Sequence, residues 1–285
     1  MNSYYEITKL KENVYRINSK ENVFMDLFVG KEKALLWDTG YGYGDLKTVI
    51  REITDLPLVI VNSHGHPDHT GGNYQFDEDI YIHQKDFELY KKFNSKEARL
   101  KNVENAKNSY DFRIKDFVNV LPHKFNEENY INQEYSNMKF ISEGDVFDLG
   151  GITLEVIEAT GHTKGSIVLL YKEEGWLYVA DAMGAFIWLF AEEADTLENY
   201  KRTLYKIKEI NFNKMILGHL PEMQEKEMIG EFIYCSEHVN YDNGFKFENQ
   251  IIECNDARVC FARGESMEQI GQPGAMAIVI SKDKL

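Results

Sequence analysis

Val59-Ile60-Val61-Asn62-Ser63-His64-Gly65-His66-Pro67-Asp68-His69-Thr70-Gly71-Gly72 is the stretch whose reading decides the fold of this chain. The apolar run Leu58 to Val61 has the length and composition of a short buried strand. It ends in a polar loop where His64, His66, Asp68 and His69 fall within six residues. Imidazole and carboxylate are the ligands that suit zinc and its neighbours in the transition series. His64 and His66 are two apart, so in extended backbone their side chains share a face and can grip one ion. Asp68 and His69 follow after a turn and point elsewhere, which suits a second ion beside the first. Pro67 and Gly71-Gly72 keep the segment out of regular strand, and a short helix is expected there. A loop that is His-rich by chance is the competing reading, with eight histidines in 285 residues. What lies downstream decides between the two.

Three further candidate ligands follow apolar runs that read as strands. His162 follows Ile152 to Ile157, Asp181 follows Leu177 to Ala180, and His219 follows Met215 to Leu217. Strand ends on one edge of a sheet converge in space, which is where α/β proteins place their chemistry. A lone histidine is as readily structural as functional, and a lone aspartate as readily a turn residue. With strand-end placement each time, the metal reading dominates.

Outward from these points, Tyr4 to Ile17 and Glu21 to Trp37 read as antiparallel strands with a turn at Gly30 to Lys33. Asp38 to Gly44 is a glycine-rich loop, a helix runs from Asp45 to about Glu52, and Ile80 to His83 is a strand. From about Gln84 to Phe140 the chain is rich in Lys, Asn and Glu. Apolar residues at helical spacing (Leu100, Val103, Ala106, then Tyr110, Ile114, Phe117, Val118, Leu121) predict helices laid over the main body. A lid and a plain surface insertion are equally good readings of that segment. Strand character returns at Lys139 to Ile141, and Asp145 to Gly151 reads as a turn. Ser166 to Tyr171 is a strand, Glu198 to Glu209 a helix, and Glu222 to Val239 a second helix. Gly244 to Leu285 reads as short strands.

The ordered set His64-x-His66-x-Asp68-His69, Gly161-His162-Thr163, Asp181 and Gly218-His219 resembles the metallo-β-lactamase superfamily, over Tyr15 to about Pro221. The resemblance implies an α/β fold, a four-layer αβ/βα sandwich with a two-metal site at one edge. The chain is then one domain over 1–285, with a helical insertion at 84–140 and a β-rich C-terminal extension at 240–285. It implies that His64, His66 and His162 hold one ion, that Asp68, His69 and His219 hold the other, and that Asp181 bridges both. Asp38 would support the ligand loop. The ions would be two divalent metals, zinc foremost, with iron or manganese as alternatives. Zinc β-lactamases proper usually lack a bridging aspartate and many use a cysteine ligand, so antibiotic hydrolysis is not expected. The pattern looks more like glyoxalase II and acyl-homoserine-lactone lactonase. No basic C-terminal helical domain of the glyoxalase II kind is visible. Lys164 stands where the family often has proline, and puts a cation near the pocket.

That resemblance implies a dinuclear hydrolase in which a metal-bridging hydroxide attacks a small ester, thioester or lactone, with Asp68 orienting the hydroxide or passing a proton. A phosphodiesterase on the same scaffold and a mononuclear-iron oxidoreductase are the alternatives. Tyr41, Tyr43, Lys164 and Trp188 are candidates for substrate contact. The apolar run Met183 to Phe190 is either core or a wall for an acyl group.

Composition sets the outer bounds. Hydrophobic content is 43% and charged content 28%, ordinary for a globular protein. The net charge of −15 argues against nucleic acid, which needs a positive footprint, and no apolar stretch approaches membrane-spanning length. The partner is then a small-molecule substrate, and a homo-oligomer is allowed. Met1 to Lys11 lacks the basic start and apolar stretch of a signal peptide, so a cytoplasmic location is expected. Cys235, Cys254 and Cys260 fit reduced thiols. His83, His123 and His238 read as non-ligands.

Overall fold

The computed structural model describes residues 4–111, 116–136, 138–248, 256–270, 272 and 274–285. The chain divides into two compact units, Met1–Ile141 with Phe147–Thr153, and Ser142–Val146 with Leu154–Leu285.

In the first unit the chain runs β1 (Tyr5–Lys11), β2 (Val14–Ser19), β3 (Phe24–Val29), β4 (Ala34–Trp37), α1 (Leu46–Ile53), β5 (Leu58–Val61) and α2 (Pro67–Thr70). It continues through β6 (Asp79–His83), α3 (Phe87–Phe93), α4 (Lys96–Lys107), β7 (Ser109–Asp111), β8 (Asp116–Val118), α5 (Glu127–Ile131) and β9 (Met138–Ile141). The sheet order is β1-β2-β3-β4-β5-β6-β9. β1 to β4 pair antiparallel, whereas β4, β5, β6 and β9 run parallel. β4 is buried at every position and β5 at three of four, as parallel strands covered on both faces should be. Because β4, β5 and β6 point the same way, Asp38, the histidine loop and Asp86 all leave from one edge of the sheet.

Helix α1 begins where Asp45 accepts the Thr48 amide at 3.0 Å, a cap that stabilises by about 1 kcal/mol. Leu46 and Ile50, one turn apart, enter a core with Leu36, Leu58 and Ile60. Burying each such side chain is favourable by about 1.5–3 kcal/mol.

The chain passes through β10 (Val146–Asp148) into the second unit. There it forms β11 (Thr153–Glu158), β12 (Ile167–Tyr171), β13 (Trp176–Ala180), β14 (Phe186–Leu189), α6 (Leu197–Glu209), β15 (Lys214–Leu217), β16 (Gln224–Glu225), α7 (Met228–Glu237), β17 (Phe245–Lys246), β18 (Arg258–Arg263) and β19 (Met276–Ile280). One sheet has the order β10-β11-β12-β13-β15-β16. β12 is antiparallel to both β11 and β13, and β13 is parallel to β15. β11, β13 and β15 therefore share a direction, and their C-terminal ends, followed by His162, Asp181 and His219, lie on one edge. A smaller sheet has the order β14-β19-β18-β17. Its β14 alternates, with Ile187 and Leu189 in the main core and Phe186 and Trp188 in a separate aromatic cluster with Phe190 and Phe247.

Several expectations are corrected. Residues Tyr110 and Phe117 are paired strand positions in the β7–β8 hairpin rather than helix. Leu100, expected on the inner face of a helix, is 45% exposed, while Val103 and Ala106 are buried. Ile114 and Cys254 lie outside the described residues. The expected helix Glu222–Val239 starts only at Met228, because Gln224 and Met215 pair as strands first. In the apolar run Met183–Phe190, which reads as core or a wall, the second half is strand β14, paired in parallel with β19. The strand expected over Tyr4–Ile17 is two strands, and Asp145–Gly151 contains β10. Among the described residues no helix is long and apolar enough to cross a membrane.

Candidate functional site

Five of the candidate site residues of the first unit sit at the strand edge. Trp37 ends β4, and Asp38 follows at φ +64°, a left-handed conformation uncommon for any residue with a side chain. Such strain persists only where surroundings hold it, and here they do. The Asp38 amide donates to the Val61 carbonyl, tying the ends of β4 and β5 together. Its carboxylate accepts the Ser63 amide at 2.7 Å, the Ser63 hydroxyl at 2.8 Å and His69 Nδ1 at 2.7 Å.

Those bonds set two tautomers. A carboxylate only accepts, so His69 carries its proton on Nδ1 and turns Nε2 toward Asp68, whose Oδ2 is 3.5 Å away. Ser63 gives its proton to Asp38, so its oxygen accepts from His64 Nδ1 at 2.9 Å, and His64 Nε2 keeps its lone pair. His64 Nε2 lies 3.0 Å from His66 Nδ1. Two nitrogens on one tetrahedral zinc are about 3.3 Å apart for bonds of about 2.05 Å, so this pair fits an ion with little adjustment. His64, His66 and His69 are all buried.

The backbone is fixed as firmly. The His69 carbonyl accepts from the Thr39 amide at 2.9 Å and the Asn62 side chain at 3.0 Å. Asn62, Asn73 and Thr39 bond among themselves. A Cβ on Gly72 would lie 2.3 Å from the Thr39 carbonyl oxygen, so the approach of the two loops requires glycine there.

In the second unit, Ala180 ends β13 at φ +43° and turns the chain so that Asp181 faces two imidazoles. Asp181 Oδ2 lies 3.2 Å from His219 Nε2 and 3.8 Å from His162 Nε2. His162 Nδ1 donates to the Trp188 carbonyl at 3.2 Å, and its Nε2 faces Asp181. His162 is buried, whereas His219 is 42% exposed.

The residues proposed for substrate contact fare unequally. Tyr43 is buried, and its hydroxyl donates to the Asn102 carbonyl at 2.9 Å. Burial pushes its phenol well above the ordinary range, so it stays neutral. Tyr41, partly exposed, stacks on Tyr43 with ring centroids 5.3 Å apart. The Lys164 ammonium lies on the Glu192 carbonyl at 3.3 Å. Trp188 is half-buried against Phe190 and Phe247. Sequence reasoning missed Ser63, Asn62 and Asn73. A serine inside the histidine cluster was the one available signal.

The family model of the metallo-beta-lactamase superfamily matches residues 23–219. Acyl-coenzyme A thioesterase MBLAC2 of Homo sapiens is 26% identical over 226 residues, spanning 74% of this chain and 76% of that protein. Among solved structures, a metallo-beta-lactamase from Pontibacter korlensis superposes with TM-score 0.55 at 17% identity, covering 82% of this chain and 99% of its own. The sec-alkylsulfatase Pisa1 from Pseudomonas sp. superposes with TM-score 0.63 at 11% identity, over 88% of this chain and 47% of its own. These structural likenesses bear on the fold, and they agree with the α/β architecture expected from the ligand pattern.

Proposed function

Since the chain belongs to the metallo-β-lactamase superfamily and is a metal-dependent hydrolase of it, we propose that it hydrolyses acyl thioesters with two divalent ions. The proposed ligands of one ion are His64, His66 and His162, and those of the other Asp68, His69, Asp181 and His219. The observation that carries the two-ion reading is Asp181, one of whose oxygens faces both His162 and His219, residues of different sets. The donor chemistry fits: five imidazoles, of which His64, His69 and His162 have Nδ1 already engaged, plus two carboxylates. Zinc is the proposed ion and the cytoplasm the proposed location, consistent with Cys235 and Cys260 being free and buried. The substrate class is supported by the likeness to an acyl-coenzyme A thioesterase, which spans three quarters of both chains.

When bound, such ions polarise an acyl carbonyl and make water a nucleophile at neutral pH. The chain's own residues do the rest. Asp68 takes the proton of the attacking water and returns it to the sulfur that leaves as the carbon–sulfur bond breaks. Asp38 holds His69 in the tautomer that presents Nε2. The Trp188 carbonyl does the same for His162. Tyr41, Trp188 and Lys164 are the proposed substrate contacts.

The test is thiol release from a panel of acyl-coenzyme A esters, beside a lactone and a phosphodiester, with metal content measured by mass spectrometry. Metal-dependent thioester turnover with near two ions per chain is expected. Turnover of the phosphodiester alone would overturn the substrate assignment.

A further inference from the structure

The ligand-bearing helix α2 is four residues long, and its N-cap, His66, makes no side-chain capping bond. A helix of that length has no stability of its own, so its geometry is imposed from outside. The source is the segment after residue 84. Arg99 of α4 is buried, at 1% exposure, with its guanidinium between two rings, 5.2 Å from the centre of Tyr74 and 4.8 Å from that of Tyr130. Its Nε donates to the Asn94 carbonyl at 3.2 Å, Nη2 to Asn94 Oδ1 at 3.1 Å, and Nη1 to the Gly71 carbonyl at 3.4 Å. Asn94 passes the connection on: its amide donates to Thr70 Oγ1 at 2.8 Å, and Thr70 donates to the His66 carbonyl at 2.9 Å.

Two more contacts tie the same segment to the other side of the loop. Asp86 accepts the Gly65 amide, between His64 and His66, at 2.9 Å. A Cβ on Gly65 would fall 2.8 Å from the Asp86 carbonyl oxygen and 3.0 Å from the Tyr90 nitrogen, so α3 rests directly on the loop backbone. Phe93 packs edge-on to the His66 ring at 5.3 Å.

We propose that Arg99 is a positioning residue: acting through Asn94 and Thr70, it fixes the Pro67–Thr70 turn that carries Asp68 and His69, and the inserted helices are a brace for the metal ligands rather than a moving cover. This rests on the proposed metal role of Asp68 and His69. Arginine suits the task because its rigid fork reaches three acceptors at once, which lysine cannot. Thr70 is the member of the chain of bonds that belongs to the ligand turn itself, and valine keeps the shape of its side chain while removing the hydroxyl that carries both bonds.

The experiment uses the full chain, stripped of metal and titrated with zinc and then cobalt(II), in the wild type, Thr70→Val, Thr70→Ser and Arg99→Lys. Circular dichroism confirms that each variant is folded. Thr70→Val and Arg99→Lys are expected to weaken one of two binding steps by about 10-fold, in the range found when supporting partners of metal ligands are removed. The cobalt absorption band of that step shifts, the other step is unchanged, and Thr70→Ser restores wild-type values. Two unaltered steps in a folded Thr70→Val overturn the proposal, as do two steps weakened equally, which would mean general softening. A wild type that takes up neither ion defeats the metal reading itself, and this one with it.

Discussion

The two groups of proposed ligands are built differently. In the first unit, His64 and His69 are sealed in, each with its Nδ1 engaged, and the His69 carbonyl is held as well. In the second, Asp181 is the hub of a looser trio, and His219 is 42% exposed at the end of β15. The first group is set before any ion arrives. The second has an outer member, His219, that stands open to solvent. Preorganisation is concentrated where backbone and side chains interlock, and the difference can be tested from either side.

The largest effect is expected at the hub. Asp181→Ala should lose bound metal and activity together while the fold survives, because Asp181 faces two imidazoles at once. Retained metal stoichiometry would remove its bridging role. Next comes Asp38→Asn, which tolerates the left-handed backbone but replaces an acceptor of three protons with an amide. Zinc affinity, read by competition with a chromophoric chelator, should fall about 100-fold. An unchanged affinity would mean that the sealed group owes its order to packing alone. The third comparison needs no metal. In the apo chain His69→Ala should cost about 2–3 kcal/mol of stability, since it strips a buried carboxylate of a partner, and His219→Ala no more than about 0.5 kcal/mol. Thermal midpoints of the two variants should separate accordingly, and equal midpoints would erase the contrast.

The smallest effect concerns pH. Burial pushes the Asp26 carboxyl up to about 6, Arg16 pulls it down, and Asp38 adds to the rise. The folded chain therefore keeps a proton that the unfolded chain has released, and stability falls as pH rises from about 4 to 6. Asp26→Asn should flatten that part of the midpoint-against-pH curve, by at most about 2 kcal/mol. Parallel curves would show that Asp26 titrates normally.

The strands, and the candidate ligands at their ends, were legible in the sequence because both follow short-range rules. Apolar runs ending in His or Asp mark β5, β13 and β15, and Asp45 with Thr48 marks the start of α1. What escaped depends on partners distant in the chain. Tyr110 and Phe117 have helical spacing, but their strand pairing to each other wins over it. Nothing local to Arg99 in the sequence signals a buried guanidinium between Tyr74 and Tyr130. Tyr43 looked like a rim residue until Asn102, far along the chain, took its hydroxyl.

One pairing described above has a consequence for biosynthesis. β14, whose Trp188 carbonyl bonds His162, has its parallel partner in β19, where Phe186 meets Ala277 and Leu189 meets Ile280. During translation, residues 276–280 must have cleared the ribosome before that strand is paired on this side. The histidine loop of the first unit is complete much earlier. The two halves of the ligand set therefore mature in sequence, and a nascent chain arrested before residue 276 would carry a finished first group and an unsupported His162.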